Sequence, residues 1–212
     1  MDYSVPEVTS AEREFYGENL ILLEGAISEF LSCMDMIRRY EVQLGNRDPV
    51  ASSQTRIKSA ESMRQKLQRL AFPVTAESAM KNVFDAAGVR LVCPFIQDID
   101  RTAELIRAIP GVQIQTEKDY IRSPKPNGYR SLHLILRFRT DSGQEIPAEI
   151  QLRTIAMDCW ANIEHQLKYK QNIPDQALLL QELKRCADEI TSTDLSLQTI
   201  RDLIEHHEEE PI

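Results

Sequence analysis

From residue 11 to 44, Leu20, Leu23, Ile27, Phe30, Met34 and Ile37 recur at three- and four-residue steps. That spacing lays one apolar stripe along a single long helix, with Gly45-Asn46 as its stop. Residues 46–53 read as a loop, and a second helix begins near Ser59. A short helix is expected over 76–84, and a buried strand from Val89 to Phe95 with Arg90 inside it. A helix over 96–109 ends at Pro110-Gly111 and leads to a strand over 112–121. Two alternating stretches, 131–139 and 144–153, flank the turn Asp141-Ser142-Gly143 and predict an antiparallel hairpin. Such a hairpin brings Ser131, His133, Glu149, Gln151 and Arg153 near one another.

Thr154 is positioned to cap a helix through Lys170, with Ile155, Trp160, Ile163 and Leu167 inward. His165, one turn from Trp160, would point back at the sheet as a satisfied core histidine. Ile173-Pro174 breaks the chain, and a last helix runs from about Asp175 to His207. Along it Leu179, Leu183, Cys186, Ile190, Thr193, Leu197, Ile200 and Ile204 follow a four-three step, a heptad seam that needs a helical partner. The element order predicts an α/β (α+β) fold: a mixed sheet of about five strands flanked by helices, with long helices at both termini.

Composition narrows the function. A chain of 212 residues with 42% hydrophobic content supports one generous domain with a normal core. A net charge of −8 argues against a broad DNA-binding or anionic-membrane surface. No apolar run approaches the roughly 18 residues of a membrane helix. The N-terminus MDYSVPEVTSAERE is acidic and has no secretion-signal pattern. The widely spaced Cys33, Cys93, Cys159 and Cys186 read as buried free thiols, and a cytoplasmic setting is expected.

Against that acidic background, Arg56, Lys58, Arg64, Lys66 and Arg69 concentrate cations around one helix start. Taken locally, such a run is a solvated face. Two carboxylates change the picture. Asp85 sits at a turn before the strand that holds Arg90, and Glu149 lies on the hairpin. With Lys125, Arg130 and Arg153 they give the composition of a magnesium-dependent phosphoryl or pyrophosphoryl transfer site. The P-loop and dinucleotide glycine patterns, HExxH and paired CxxC are absent. Tyr129, on a glycine-bearing loop, offers a flat face for a nucleobase.

The stretches TRIKSAES, FDAAGVRLV, DYIRSPKPNGYRSLH and AEIQLRT…WANIEHQLKYK, in this order, resemble the alarmone (ppGpp) synthetase domain of the RelA/SpoT family. The likeness spans roughly residues 20 to 200. It implies one synthetase domain over 1–212, with a helical region over 1–50, a catalytic core over 51–170 and an assembly helix over 175–207, and no hydrolase activity. The implied reaction moves the β,γ-pyrophosphate of ATP to the 3′-hydroxyl of GDP or GTP, giving ppGpp or pppGpp and AMP. The resemblance further implies that Asp85 holds Mg²⁺ and that Glu149 shares the metal or accepts the proton of the attacking hydroxyl. Arg56 and Arg90 would sandwich adenine, and Lys58, Ser62 and Lys66 would hold the donor phosphates. Tyr129 would stack on guanine, with Lys125, Arg130 and His133 on the acceptor side and Gln151 and Arg153 lining the cleft. It also implies a homotetramer built through the terminal helices. Asp158, where activated members of the family carry a neutral amide, is expected to repel a polyphosphate activator. The alternatives are a catalytically weak guanine-nucleotide or RNA-binding regulator, with single-stranded RNA competing at the cleft, and a purely structural helical protein.

Overall fold

The stretches that alternate most strictly form the centre of a five-stranded sheet. The computed structural model describes residues 8–169 and 176–209. Its strands are β1 (Ser52–Ile57), β2 (Ala87–Cys93), β3 (Val112–Asp119), β4 (Leu132–Arg139) and β5 (Glu145–Thr154), in the spatial order β1-β2-β5-β4-β3. Only the β2–β5 pair is parallel, so the sheet is mixed as expected. Its helices are α1 (Ser10–Tyr16), α2 (Asn19–Gln43), α3 (Ala60–Arg69), α4 (Ala76–Asn82), α5 (Ile96–Arg107), α6 (Ile155–Tyr169) and α7 (Gln176–Glu209). One face of the sheet is apolar. Val89, Leu91, Leu134, Leu136, Ile150 and Leu152 are buried there against Leu23, Ile27, Phe30, Ile99 and Ile106 of α2 and α5. Because side chains alternate along a strand, the other face receives the polar residues.

The expected helix over 11–44 is two helices. Gly17 takes φ +54°, a left-handed conformation, and its amide closes α1 on Arg13. The break lets α1 fold back onto the start of α3. Thr9 and Glu12 cap α1. Glu12 also accepts the amide of Ala60 at 3.0 Å, and the Tyr16 hydroxyl donates to the Lys58 carbonyl at 2.7 Å.

β1 corrects the expected loop. Ser52 and Ser53 open a strand, and Arg56 lies on it rather than near a helix start. It is an edge strand with no buried residue, so Ser-Ser-Gln-Thr has no apolar alternation to announce it. α3 starts where expected, with Ser59 as its cap.

On α6, Trp160 faces inward, but Ile155 and Ile163 are exposed and so is His165, against expectation. Asp158 and Glu164 are buried there instead. The chain break at Ile173-Pro174 and the helix start at Asp175 lie outside the described residues. The heptad seam of α7 holds for its first half. Leu183 and Ala187 pack on Trp160, and the Trp160 indole donates to the Leu183 carbonyl at 3.0 Å. Beyond Ile190 a 3.6-residue repeat departs from a heptad, and the buried face passes to Asp194 and Gln198. Asp194 accepts from Thr154 at 2.5 Å, and Arg201 pairs with Asp98 at 2.7 Å. Leu197, Ile200 and Ile204 are left exposed. All four cysteines are free, but only Cys93 is buried; Cys33 and Cys186 are half-buried and Cys159 is exposed, so the expectation of four buried thiols fails.

Candidate active site

Strand register assembles the polar face. Arg56 pairs with Gly88, Gly88 with Glu149, and Glu149 with Ile135. One step along, Gln54 pairs with Arg90, Arg90 with Gln151, and Gln151 with His133. A cleft lined by Gln54, Arg56, Gly88, Arg90, Glu149 and Gln151 opens there. Beside it lies a second, lined by Lys58, Ser62, Gln65, Lys66, Arg69 and Asp85. Of the hairpin residues expected together, His133, Glu149, Gln151 and Arg153 meet. Ser131 does not join them; it is fully buried, and its hydroxyl donates to the Leu152 carbonyl at 3.0 Å.

Glu149 is the hub. His133 Nδ1 lies 3.1 Å from one carboxylate oxygen, and Gln151 Nε2 donates to the other at 2.9 Å. Arg56 reaches it at 3.5 Å. Burial alone would push this carboxyl up, but the hydrogen bond and charge of His133, with Gln151 and Arg56, overcome it and hold it at about 2. Against its ordinary 4.5, that is a net preference for the charged form on the order of 3 kcal/mol. The network continues outward. The Tyr129 hydroxyl is 2.9 Å from His133 Nε2 and accepts from Arg153 at 2.7 Å. Arginine can only donate, so with His133 neutral the Tyr129 proton goes to Nε2 and the Nδ1 proton to Glu149.

A pH prediction follows. The folded carboxyl lies below its ordinary value, so its stabilising contribution is complete above about pH 4.5 and drains as pH falls toward about 2. Urea midpoints of wild type and Glu149→Gln should therefore differ most near neutrality and converge in acid. A gap that stays constant down to about pH 2.5 would show that the network adds no stability.

Asp85 is held by two ammonium groups, Lys58 at 3.1 Å and Lys66 at 2.8 Å. Burial raises its carboxyl, yet the bond to Lys66 and the charges of both lysines leave it below the ordinary range. Its Oδ1 is buried and without a hydrogen-bond partner. Ser62 sits on the first turn of α3, bonded to Ser59 Oγ at 2.8 Å. No group of three or more His, Cys, Asp or Glu among the described residues is arranged around a metal. The bare oxygen of Asp85 fits the donor chemistry of a hard cation such as Mg²⁺, which takes one or two protein carboxylates and completes its shell with water and phosphate oxygens.

The loop before β4 carries the expected acceptor residues. Lys125 Nζ lies 4.6 Å from the ring centres of both Tyr120 and Tyr129, and Arg153 covers the Tyr129 ring at 5.1 Å. Arg130 turns away from Glu149, donating to the Ile121 carbonyl at 2.7 Å and approaching Asp188 of α7 at 3.7 Å. Gly128 (φ +90°) lies flush on α7, where an added Cβ would come within 2.6 Å of Ala187 Cβ. With the acceptor and donor roles that the resemblance implies, Gly128→Ala should lift the loop and raise KM for the guanine nucleotide about tenfold, leaving KM for ATP within about twofold. Equal rises in both constants would refute that separation.

Sequence reasoning missed several contributors. Gln54 and Asn162 accept from Arg90 at 3.1 and 3.4 Å, and Asn127 ties the loop to Glu164 at 2.9 Å. No signal in the sequence pointed to Gln54, because the strand that carries it shows no apolar alternation. Asp158 is not a free surface charge. Its Oδ1 lies 2.9 Å from Arg153 and 3.2 Å from Arg90, so both guanidiniums compensate it and the expected repulsion loses its basis.

Residues 55–174 match the family model described as "Region found in RelA / SpoT proteins". The chain belongs to the RelA/SpoT family. It is 35% identical to the GTP pyrophosphokinase YwaC of Bacillus subtilis over 193 residues, covering 89% of this chain and 92% of that one. Against YjbM of the same organism the identity is 32%, with 86% of each covered. Among solved structures, the Bacillus subtilis small alarmone synthetase 1 bound to its product pppGpp superposes with a TM-score of 0.79 at 29% identity, covering 91% of this chain and 98% of the other. Small alarmone synthetase 2 of that organism gives 0.75 at 34%, covering 87% and 98%.

Proposed function

We infer that this RelA/SpoT-family chain is a GTP pyrophosphokinase that makes ppGpp or pppGpp and AMP from ATP and GDP or GTP. The observation that carries the reading is a pair of half-buried carboxylates, Asp85 held by two lysines and Glu149 by His133, Gln151 and Arg56. Its relatives across nearly the full length are named for this reaction. A regulator that had lost catalysis would not need both carboxylates ionised and in place.

In our reading, Lys58, Ser62 and Lys66 receive the donor phosphates, and Arg56 and Arg90 flank the adenine. Tyr129, with Lys125, Arg130 and His133, receives the guanine nucleotide, and Gln151 and Arg153 hold the carboxylate and the tyrosine in position. Glu149, ionised at neutral pH, takes the proton from the 3′-hydroxyl as its oxygen forms a bond to the β-phosphorus of ATP. The bond from that phosphorus to the oxygen shared with the α-phosphate breaks, and AMP leaves with that oxygen. His133 and Gln151 keep the carboxylate aimed. Asp85 and Glu149 would hold Mg²⁺, which supplies charge neutralisation on the phosphate oxygens when bound. Without substrate, Lys58 and Lys66 neutralise Asp85; with it, they turn to phosphate.

Chromatography of nucleotides after incubation with Mg²⁺ tests the reaction. AMP and a 3′-pyrophosphorylated guanine nucleotide should appear only when ATP and GDP or GTP are both present. AMP without an acceptor, or no product at all, would overturn the reading.

We also propose a homotetramer, supported by the exposed Leu197, Ile200 and Ile204 of α7 and by Met36 and Tyr40 of α2. Sedimentation equilibrium checks it; a monomer at micromolar concentration would refute it. No helix among the described residues is long and apolar enough to cross a membrane, and we propose a cytoplasmic location alongside its substrates.

A further inference from the structure

Arg90 and Arg153 belong to different halves of the proposed site, one beside the donor and the other behind the acceptor tyrosine. They converge on one atom. Asp158 Oδ1 lies 3.2 Å from Arg90 and 2.9 Å from Arg153. Its other oxygen accepts from Asn162 at 3.0 Å. The carboxylate is buried, as is Arg153, and Arg90 is half-buried. Two guanidiniums this close repel each other at short range unless an anion lies between them. Each keeps a buried Nε–H without a hydrogen-bond partner, so neither is fully satisfied by the protein.

The contacts beyond the two arginines run in opposite directions. Arg90 also bonds Gln54 of β1, the strand that carries Arg56. Arg153 also bonds Gln151 and the Tyr129 hydroxyl. A nucleotide that shifts Arg90 thus changes how much of Asp158 is left for Arg153, and the reverse. Glu149 Oε2 also lies between the flanks, 3.5 Å from Arg56 and 2.9 Å from Gln151, whereas Asp158 touches an arginine of each half.

We propose that Asp158 is a positioning residue that couples the donor and acceptor halves of the site, so that each nucleotide binds more tightly when the other is present. This rests on the synthetase reading for the roles of the two halves. The carboxylate touches neither substrate in this scheme. It holds two arginines at a fixed separation and transmits the displacement of one to the other.

Isothermal titration of the full chain with a non-cleavable ATP analogue, bearing methylene between the α- and β-phosphorus atoms, tests the coupling with and without saturating GDP. Wild type should bind the analogue at least about fivefold more tightly with GDP present, and in Asp158→Asn that factor should fall to about one. A merely structural role would weaken both ligands and leave the factor unchanged. The proposal is overturned if Asp158→Asn keeps the wild-type factor, or if wild type shows none. Should Asp158→Asn not fold by circular dichroism, Asn162→Ala carries the test from the exposed side of α6. It frees the second carboxylate oxygen, removes the 3.4 Å contact with Arg90 as well, and should reduce the factor to about half; an unchanged factor would again overturn the idea. Failure of the synthetase reading is separate: wild type would then release no AMP in the chromatographic assay.

Discussion

Glu149→Gln is expected to fold as wild type does and to lose turnover by about 10²–10⁴-fold. The substitution is nearly isosteric, and the glutamine oxygen can still accept from His133. What disappears is the charge. Wild type holds the carboxyl at about 2, so at neutral pH it is ionised and able to receive a proton from a hydroxyl; an amide cannot. Binding should suffer much less, because the contacts that receive nucleotides come from other residues. The discriminating measurement is turnover beside analogue affinity. A hundredfold loss in affinity with unchanged turnover would make Glu149 a binding group and remove it from the chemistry.

Asp85→Asn is expected to have a comparably large effect by a different route. Asp85 now neutralises Lys58 and Lys66. Removing its charge frees two cations at the proposed phosphate site, so without metal the ATP analogue should bind more tightly, by about threefold to tenfold. Turnover should nonetheless fall by about 10³-fold, because the carboxylate with the unpartnered oxygen is the one suited to Mg²⁺. Raising Mg²⁺ should restore part of the loss if the cation site is weakened rather than abolished. Titrating analogue affinity and turnover in parallel decides the matter. If both fall together at every Mg²⁺ concentration, Asp85 serves folding and not the metal.

The hairpin was legible because the sequences of β4 and β5 largely alternate, Ile135 aside, and alternation is what a sheet with one apolar face requires. Arg90 was legible for the opposite reason, as a charge in an apolar strand that demands a partner. The partner itself was not. Asp158 lies on α6, and a helical repeat built on apolar residues assigned Ile155 and Ile163 to the inner face. In the fold that face belongs partly to Asp158 and Glu164, whose burial is made tolerable by Arg153, Arg90 and Asn127. Pairings between distant segments leave no periodic trace. β1 escaped notice because an edge strand needs no apolar residue, and its place follows from the backbone groups of β2 alone. The break at Gly17 lies ahead of the Leu20–Ile37 stripe, which therefore carried no trace of it, although the glycine itself stood in view.

The fold-back of α1 onto α3 bears on where this enzyme can be cut. Residues 10–57 contribute the capping glutamate on Ala60, the tyrosine beneath Lys58, the helix that covers the sheet, and the whole of the edge strand that carries Arg56. Nearly all of this lies before the 55–174 segment that matches the family model. A truncation drawn at that boundary would remove one wall of the core together with the supports of Lys58, a lysine proposed to receive the donor phosphates. The smallest unit able to work is thus larger than the segment by which the chain is recognised, and an amino-terminal fusion is best joined ahead of Thr9 through a flexible spacer.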